Sequence, residues 1–218
     1  MLRDYQIDIC SRVCEAFGQH RSVMVQMPTG TGKTVVLAEL VKRVLMKDEG
    51  LRILIVAHRR ELIEQIKETV KRMGLNADNQ SSLINNQTIN SSLSSLINNQ
   101  NINSSQSSLI NNQNINSNQS SLINNQIITV ESIQTISRRI ASTEFSPSLV
   151  VIDEAHHALA KTYKMMWDAW PNAKFLGLTA TPCRLNGKGF TDLFDVLVQS
   201  WDIPTFIKEK WLSTYDFV

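Results

Sequence analysis

The chain has 218 residues, with 22 Lys and Arg against 20 Asp and Glu, for a formal net charge of +2. That length supports one large domain or two small ones, and the charge balance argues against a histone-like basic binder while leaving room for a local basic patch. Three cysteines without CxxC spacing (Cys10, Cys14, Cys183) argue against a disulfide framework. The charged start MLRDYQIDIC does not read as a signal peptide. No apolar run approaches membrane length, so the expected setting is cytoplasmic, without a membrane partner.

In chain order, the first element is a helix carrying Cys10 and Cys14 four residues apart. Even with His156 and His157 they assemble no four-ligand zinc set, and buried thiols are the better reading. Ser22 to Met27 is a short apolar run ending at Pro28 and a glycine-rich turn. Val36, Leu37, Leu40, Val41, Val44 and Leu45 recur at helical spacing and predict a helix over Thr34 to Met46. Ile53 to Ala57 reads as a buried strand, and a helix over Arg60 to Met73 ends at Gly74. Ile127 to Val130, Leu149 to Ile152 and Phe175 to Leu178 are three further apolar runs. Such runs between helices predict an α/β fold: a three-layer parallel sheet with ligands at the carboxyl ends of the strands. Trp167, Trp170, Trp201 and Trp211 stand amid apolar neighbours and are expected in the core rather than as base-stacking platforms.

One stretch differs from everything around it. Ser81 to Gln126 contains no Asp, Glu, Lys or Arg, and SSLINNQ begins at Ser81, Ser94, Ser107 and Ser120, a period of 13. On a helix that period turns successive Leu-Ile pairs to unrelated faces, and on a strand it alternates them. Ser, Asn and Gln bury too little apolar surface to offset ordering entropy, so residues 79–126 are expected to be a disordered insert. A β-solenoid coil is the alternative, weakened by the lack of Gly or capping segments. Uncharged Asn/Gln-rich sequence is also prone to β-aggregation.

The chemistry clusters after the apolar runs. Pro28-Thr29-Gly30-Thr31-Gly32-Lys33-Thr34 follows a strand and opens a helix, the context of a phosphate-binding loop. Gly30 and Gly32 let backbone N–H groups turn toward a triphosphate, and the helix N-terminus adds its positive end. Lys33 would reach the β- and γ-phosphates, and the Thr34 hydroxyl would ligate Mg²⁺. Met27 stands where the strict eight-residue pattern has Gly. At the end of another strand, Asp153 would hold the Mg²⁺ water shell opposite Thr34, and Glu154 would orient the attacking water.

MPTGTGKT, AHRRELIEQ, DEAHH and LTATPCR, in that order, resemble motifs I, Ia, II and III of superfamily 2 DEAD/DEAH-box helicases and translocases. LRDYQ, Leu2 to Gln6, is similar to the adenine-reading element of that superfamily. The variant looks like the group of restriction-enzyme motor subunits and DNA-repair helicases. The resemblance implies an N-terminal RecA-like P-loop NTPase domain that takes ATP and Mg²⁺, with Gln6 on the adenine and Arg3 beside it. It implies that His156, Thr179 and Thr181 couple hydrolysis to strand movement. His58, Arg59, Thr129 and Ser132 become the nucleic-acid contacts, with DNA favoured over RNA by family likeness.

Motors of this superfamily use two RecA-like domains with the nucleotide between them. Residues 1–218 are therefore expected to be domain 1, interrupted by the insert, because 34 residues after Arg184 are too few for a second domain. The insert falls between motif Ia and Thr129, a position expected to put it on the face that meets the strand. The alternative is a catalytically silent nucleotide-binding module whose repeats self-associate.

Overall fold

The apolar runs form six strands of one all-parallel sheet in a computed structural model that describes residues 2–47, 51–75, 127–141, 145–157, 161–181 and 192–214. The strands are β1 (Ser22–Gln26), β2 (Arg52–Ala57), β3 (Ile127–Ser132), β4 (Leu149–Asp153), β5 (Lys174–Thr179) and β6 (Val196–Gln199). Their order in space is β3-β2-β4-β5-β1-β6. The helices are α1 (Asp4–Gln19), α2 (Lys33–Leu45), α3 (Arg60–Arg72), α4 (Ile133–Arg139), α5 (Lys161–Ala169) and α6 (Ile203–Lys208).

Two cores flank the sheet. Val23, Val25, Ile53, Ile55, Val151 and Leu176 point to one face, where Ile9 and Val13 of α1, Leu37 and Val41 of α2, and Ile66 and Val70 of α3 cover them. Met24, Leu54, Val56, Val150 and Ile152 point to the other, against Ile136 of α4 and Tyr163 and Met166 of α5. The central strands are buried on both faces, which is why they read as unbroken apolar runs. Each fully buried aliphatic side chain contributes about 1.5–3 kcal/mol. Cys10 lies inside the first core and Cys14 on its margin; burial pushes the Cys10 thiol up to about 12.

The chain direction fixes two ends of the sheet. Every strand delivers its carboxyl end to one rim, and α2, α3, α4 and α5 carry the chain back toward the amino rim. There, Ser148 N donates to Arg52 O at 2.8 Å and Lys174 N to Ser148 O at 2.9 Å. Asp195 accepts at 3.0 and 2.8 Å from the N–H groups of Arg21 and Ser22, tying the start of β6 to the start of β1.

The repeat insert lies outside the described residues, but its attachment is clear. The chain leaves α3 through Gly74, at φ 77°, and Leu75, whose N–H donates to Val70 O at 3.1 Å. It re-enters at Ile127, paired in register with Arg52 at the start of β2. Both flanks are therefore at the amino rim, because α3 has already carried the chain back across the sheet. The expectation that the insert lies on the strand-binding face concerns residues outside those described; what the structure places is where the described chain on either side of it ends.

Candidate nucleotide site

The loop after β1 is anchored to its neighbour strand: Met27 N donates to Thr179 O at 2.9 Å. Pro28 is partly buried, Thr29 and Gly30 are exposed, and the Thr31 hydroxyl closes the turn on Pro28 O at 2.7 Å. Gly30 and Gly32 adopt φ of 85° and 83°, a region L side chains avoid. A Cβ on Gly32 would also stand 2.6 Å from Gln6 Nε2, so a larger residue there would push the Gln6 amide aside. Lys33 and Thr34 begin α2, and their two N–H groups precede the first intrahelical bonds, which Val35 N and Val36 N make to Gly32 O.

Across β4 and β5 a chain of polar contacts faces this loop. Lys33 Nζ is 3.9 Å from Glu154 Oε1, and Glu154 Oε2 is 3.3 Å from His156 Nδ1. His156 Nδ1 is 3.0 Å from Thr179 Oγ1, which donates to Thr181 O at 2.9 Å and accepts from Thr181 N at 3.1 Å. Glu154 reaches this position with φ at 52°, a left-handed backbone worth about 1–2 kcal/mol of strain in a non-glycine residue. Beside it Asp153 is 6% exposed and accepts from Glu154 N at 3.0 Å. Burial, and then the neighbouring Glu154 charge, push the Asp153 carboxyl above the usual carboxylate range, while Lys33 and His156 pull the other way.

The amino-terminal segment closes the other side. Gln6 is 4% exposed; its Nε2 donates to Thr31 O at 3.2 Å and its Oε1 accepts from Arg3 N at 3.0 Å. Each of these Gln6 groups therefore already serves the loop and the helix start, leaving one amide hydrogen and one lone pair for a base. Tyr5, unassigned from sequence, makes the same connection: its hydroxyl donates to Thr31 O at 3.0 Å and accepts from Arg3 Nη1 at 3.0 Å. The clue was the phenol directly before Gln6, but nothing local indicated its partner 26 residues away. A cleft of about 680 Å³ opens along the loop, bounded by Pro28, Thr29, Ala180, Thr181, Trp201 and Leu212.

The other four predicted contacts divide. His58 and Arg59 are exposed just past β2, and a cleft of about 400 Å³ beside them runs between Arg60 and Lys67 of α3 and Ser132 and Thr135. Thr129 does not fit a surface contact: it is 5% exposed in mid-strand, opposite Leu54 in register. Ser132 caps α4, its hydroxyl accepting from Thr135 N at 3.1 Å. The tryptophans divide too. Trp170 is core and Trp167 stacks on Phe175 at 3.8 Å, but Trp211 is 41% exposed, a correction to its expected burial.

Residues 1–184 match the family model described as Type III restriction enzyme, res subunit. The chain belongs to this family. The 51.5 kDa protein of Lactococcus phage (isolate 7-9) is 28% identical to this res-subunit domain over 194 residues, 89% of this chain and 32% of the relative. The putative ATP-dependent helicase IRC3 of Saccharomyces cerevisiae is 26% identical over 230 aligned residues, covering 100% of this chain and 29% of the relative. The chain thus spans about a third of the length of these curated relatives. Among solved structures, the nuclease-deletion mutant of the Type ISP restriction-modification enzyme LlaGI in complex with a DNA substrate mimic superposes with a TM-score of 0.65 at 14% identity, over 97% of this chain and 21% of that one. The Pyrococcus furiosus Hef helicase domain gives 0.58 at 19%, over 91% and 37%. These likenesses show that the res-subunit domain has the RecA-like α/β fold of helicase motors. Among the described residues, no helix is long and apolar enough to cross a membrane.

Proposed function

We propose that this chain is the ATP-binding half of a nucleic-acid-dependent ATPase, a helicase or double-stranded-DNA translocase that works with a second RecA-like domain. The observation that carries the reading is the continuous set of contacts Lys33–Glu154–His156–Thr179, which joins three adjacent strand ends into one unit. A glycine-rich turn with a solvated lysine has no reason to face a strained glutamate and a bridging histidine.

The residues present fit Mg²⁺. The Thr34 hydroxyl and Asp153 carboxyl are hard oxygen donors, and Asp153 is buried beside a second carboxylate where a cation offsets the repulsion. Those two residues would hold the ion, which when bound supplies charge neutralisation on the phosphate oxygens. Lys33 would exchange Glu154 for the β- and γ-phosphates. Glu154 would then accept a proton from the water that attacks the γ-phosphorus as the bond to the bridging oxygen breaks, giving ADP and phosphate. His156 holds the other Glu154 oxygen and links it to Thr179 and Thr181, so occupancy of the nucleotide site is passed to the β5 loop. Arg3 and Gln6 would take the base. His58 and Arg59 are the side chains best placed to meet a nucleic-acid backbone, and the restriction-enzyme and helicase relatives favour DNA.

The test is Mg-ATP turnover by the purified chain, with and without duplex DNA, beside Lys33→Ala. Turnover abolished by that change supports the reading. Wild-type turnover and ATP binding both indistinguishable from Lys33→Ala would overturn it.

A further inference from the structure

The segment after α6 folds back over the nucleotide loop. Trp211 N and Leu212 N both donate to Phe206 O, at 2.9 and 3.2 Å, and Leu212 Cδ2 lies 3.3 Å from where a Gly30 Cβ would be. This turn sets the Trp211 ring beneath Arg3, whose guanidinium carbon is 4.6 Å from the ring centroid. The same ring meets Tyr5 edge-on at 5.8 Å. Arg3 in turn donates to Tyr5 Oη, which donates to Thr31 O in the phosphate loop.

We propose that Trp211 is a positioning residue for the nucleotide base, holding the Arg3 guanidinium flat so that its exposed face stacks on a purine. The inference rests on the nucleotide reading above and extends it to a residue outside every motif. An arginine on a solvent-exposed helix start samples many rotamers, and a plate for a base requires one of them. Here the aromatic ring supports one face of the guanidinium, and the Tyr5 hydroxyl fixes its rotation in the plane. Trp211 remains 41% exposed, more than a residue placed only to fill a core requires.

The experiment compares Mg-ATP with Mg-tripolyphosphate, which presents phosphates and no base. Binding of each to the full chain is measured for wild type, Trp211→Ala, Trp211→Phe, Arg3→Ala and the Arg3/Trp211 double-alanine variant. Trp211→Ala is expected to weaken ATP about tenfold and to leave tripolyphosphate within about twofold. Trp211→Phe should recover most of the loss, and the double variant should lose little more than Arg3→Ala alone. An equal loss on both ligands, or wild-type ATP affinity in Trp211→Ala, would overturn the inference and leave the nucleotide reading standing. Wild type binding neither ligand would overturn both.

Discussion

The two rims of the sheet are built differently. At the carboxyl rim the ends of β1, β4 and β5 are cross-linked through side chains, with Lys33, Glu154, His156 and Thr179 each touching the next. At the amino rim the links end on backbone groups: strand starts bond one another, Asp195 caps the N–H groups of Arg21 and Ser22, the Arg21 guanidinium donates to Ala173 O and Trp170 O, and Lys174 Nζ donates to Phe17 O. A cleft of about 580 Å³ lies there, lined by Phe17, Val44, Leu51 and Pro147, and it touches none of the motif residues. The repeat insert also attaches at this end. What separates the rims is convergence: parallel strands bring groups far apart in sequence to one edge, and strain is tolerated there, as at Glu154.

The largest effect that sharpens this contrast is at Glu154. Glu154→Gln keeps size and a hydrogen bond to His156 but cannot accept the water's proton. Turnover should fall by about 10²–10⁴-fold with ATP affinity near wild type, measured by steady-state kinetics beside equilibrium binding. Parallel loss of binding would mean that the residue organises the loop rather than the water.

Next comes a change that strikes the rim through packing. Gly177 sits in β5 directly under the Asp153–His156 turn, where an added Cβ would meet Ala155 Cβ at 2.7 Å and Phe194 Cζ at 2.6 Å. Phe194 can yield, but Ala155 is fixed to the backbone that presents Glu154. Gly177→Ala should destabilise the fold by about 1–3 kcal/mol in chemical denaturation. Because the turn must move, it should also lower turnover more than thermal loss explains. Unchanged stability would show that the turn is not seated on this glycine.

Much of this rim was legible in sequence and some was not. GKT, DEAHH and TAT are local spacings, so Lys33, Asp153 and Thr179 were readable without coordinates. The strands were readable because β1, β2, β4 and β5 are buried on both faces. The edge strand β6 was not: its apolar run, Val196-Leu197-Val198, is only three residues long, and only Val198 of its four residues is buried. α4 and α6 have seven and six residues, too short for a helical period to emerge. The links from Arg3 to Trp211 and from Tyr5 to Thr31 were invisible for another reason. They form only when the sheet order places β6, β1 and α1 side by side. Thr129 failed as a contact because strand alternation turned it into the sheet, while the resemblance carried only its place in the motif.

A smaller effect belongs to the amino rim. Burial acts to raise the Asp195 carboxyl, but the N–H and hydroxyl of Ser22 and the N–H of Arg21 outweigh it and hold the group below the ordinary value of 3.8. A folded-state pKa below the unfolded one gives stability that is present above the unfolded value and lost as pH falls through the folded one. Acid unfolding below about pH 4 should therefore have a component that Asp195→Asn removes. At neutral pH, because the carboxylate is exposed, the change should cost only about 1 kcal/mol. Activity per folded molecule should stay at wild type, unlike any change at the carboxyl rim.

The smallest expected effect is the most direct test of the division. Replacing residues 79–126 with a short Gly/Ser linker removes over a fifth of the chain. Yet its flanks, Leu75 and Ile127, are at the amino rim, a helix length away from Lys33 and Glu154. Loop-closure entropy changes slowly with length, by about 0.6 kcal/mol per doubling, so the shorter connection should leave stability unchanged or slightly raised. ATP affinity should stay within about twofold, because no contact between Lys33, Glu154, His156 and Thr179 passes through the segment. Self-association, measured by sedimentation, is the property free to change, since uncharged Asn/Gln-rich sequence favours β-aggregation. A large loss of ATP binding on replacement would mean that the repeats reach the motifs after all, and that the two rims are not independent.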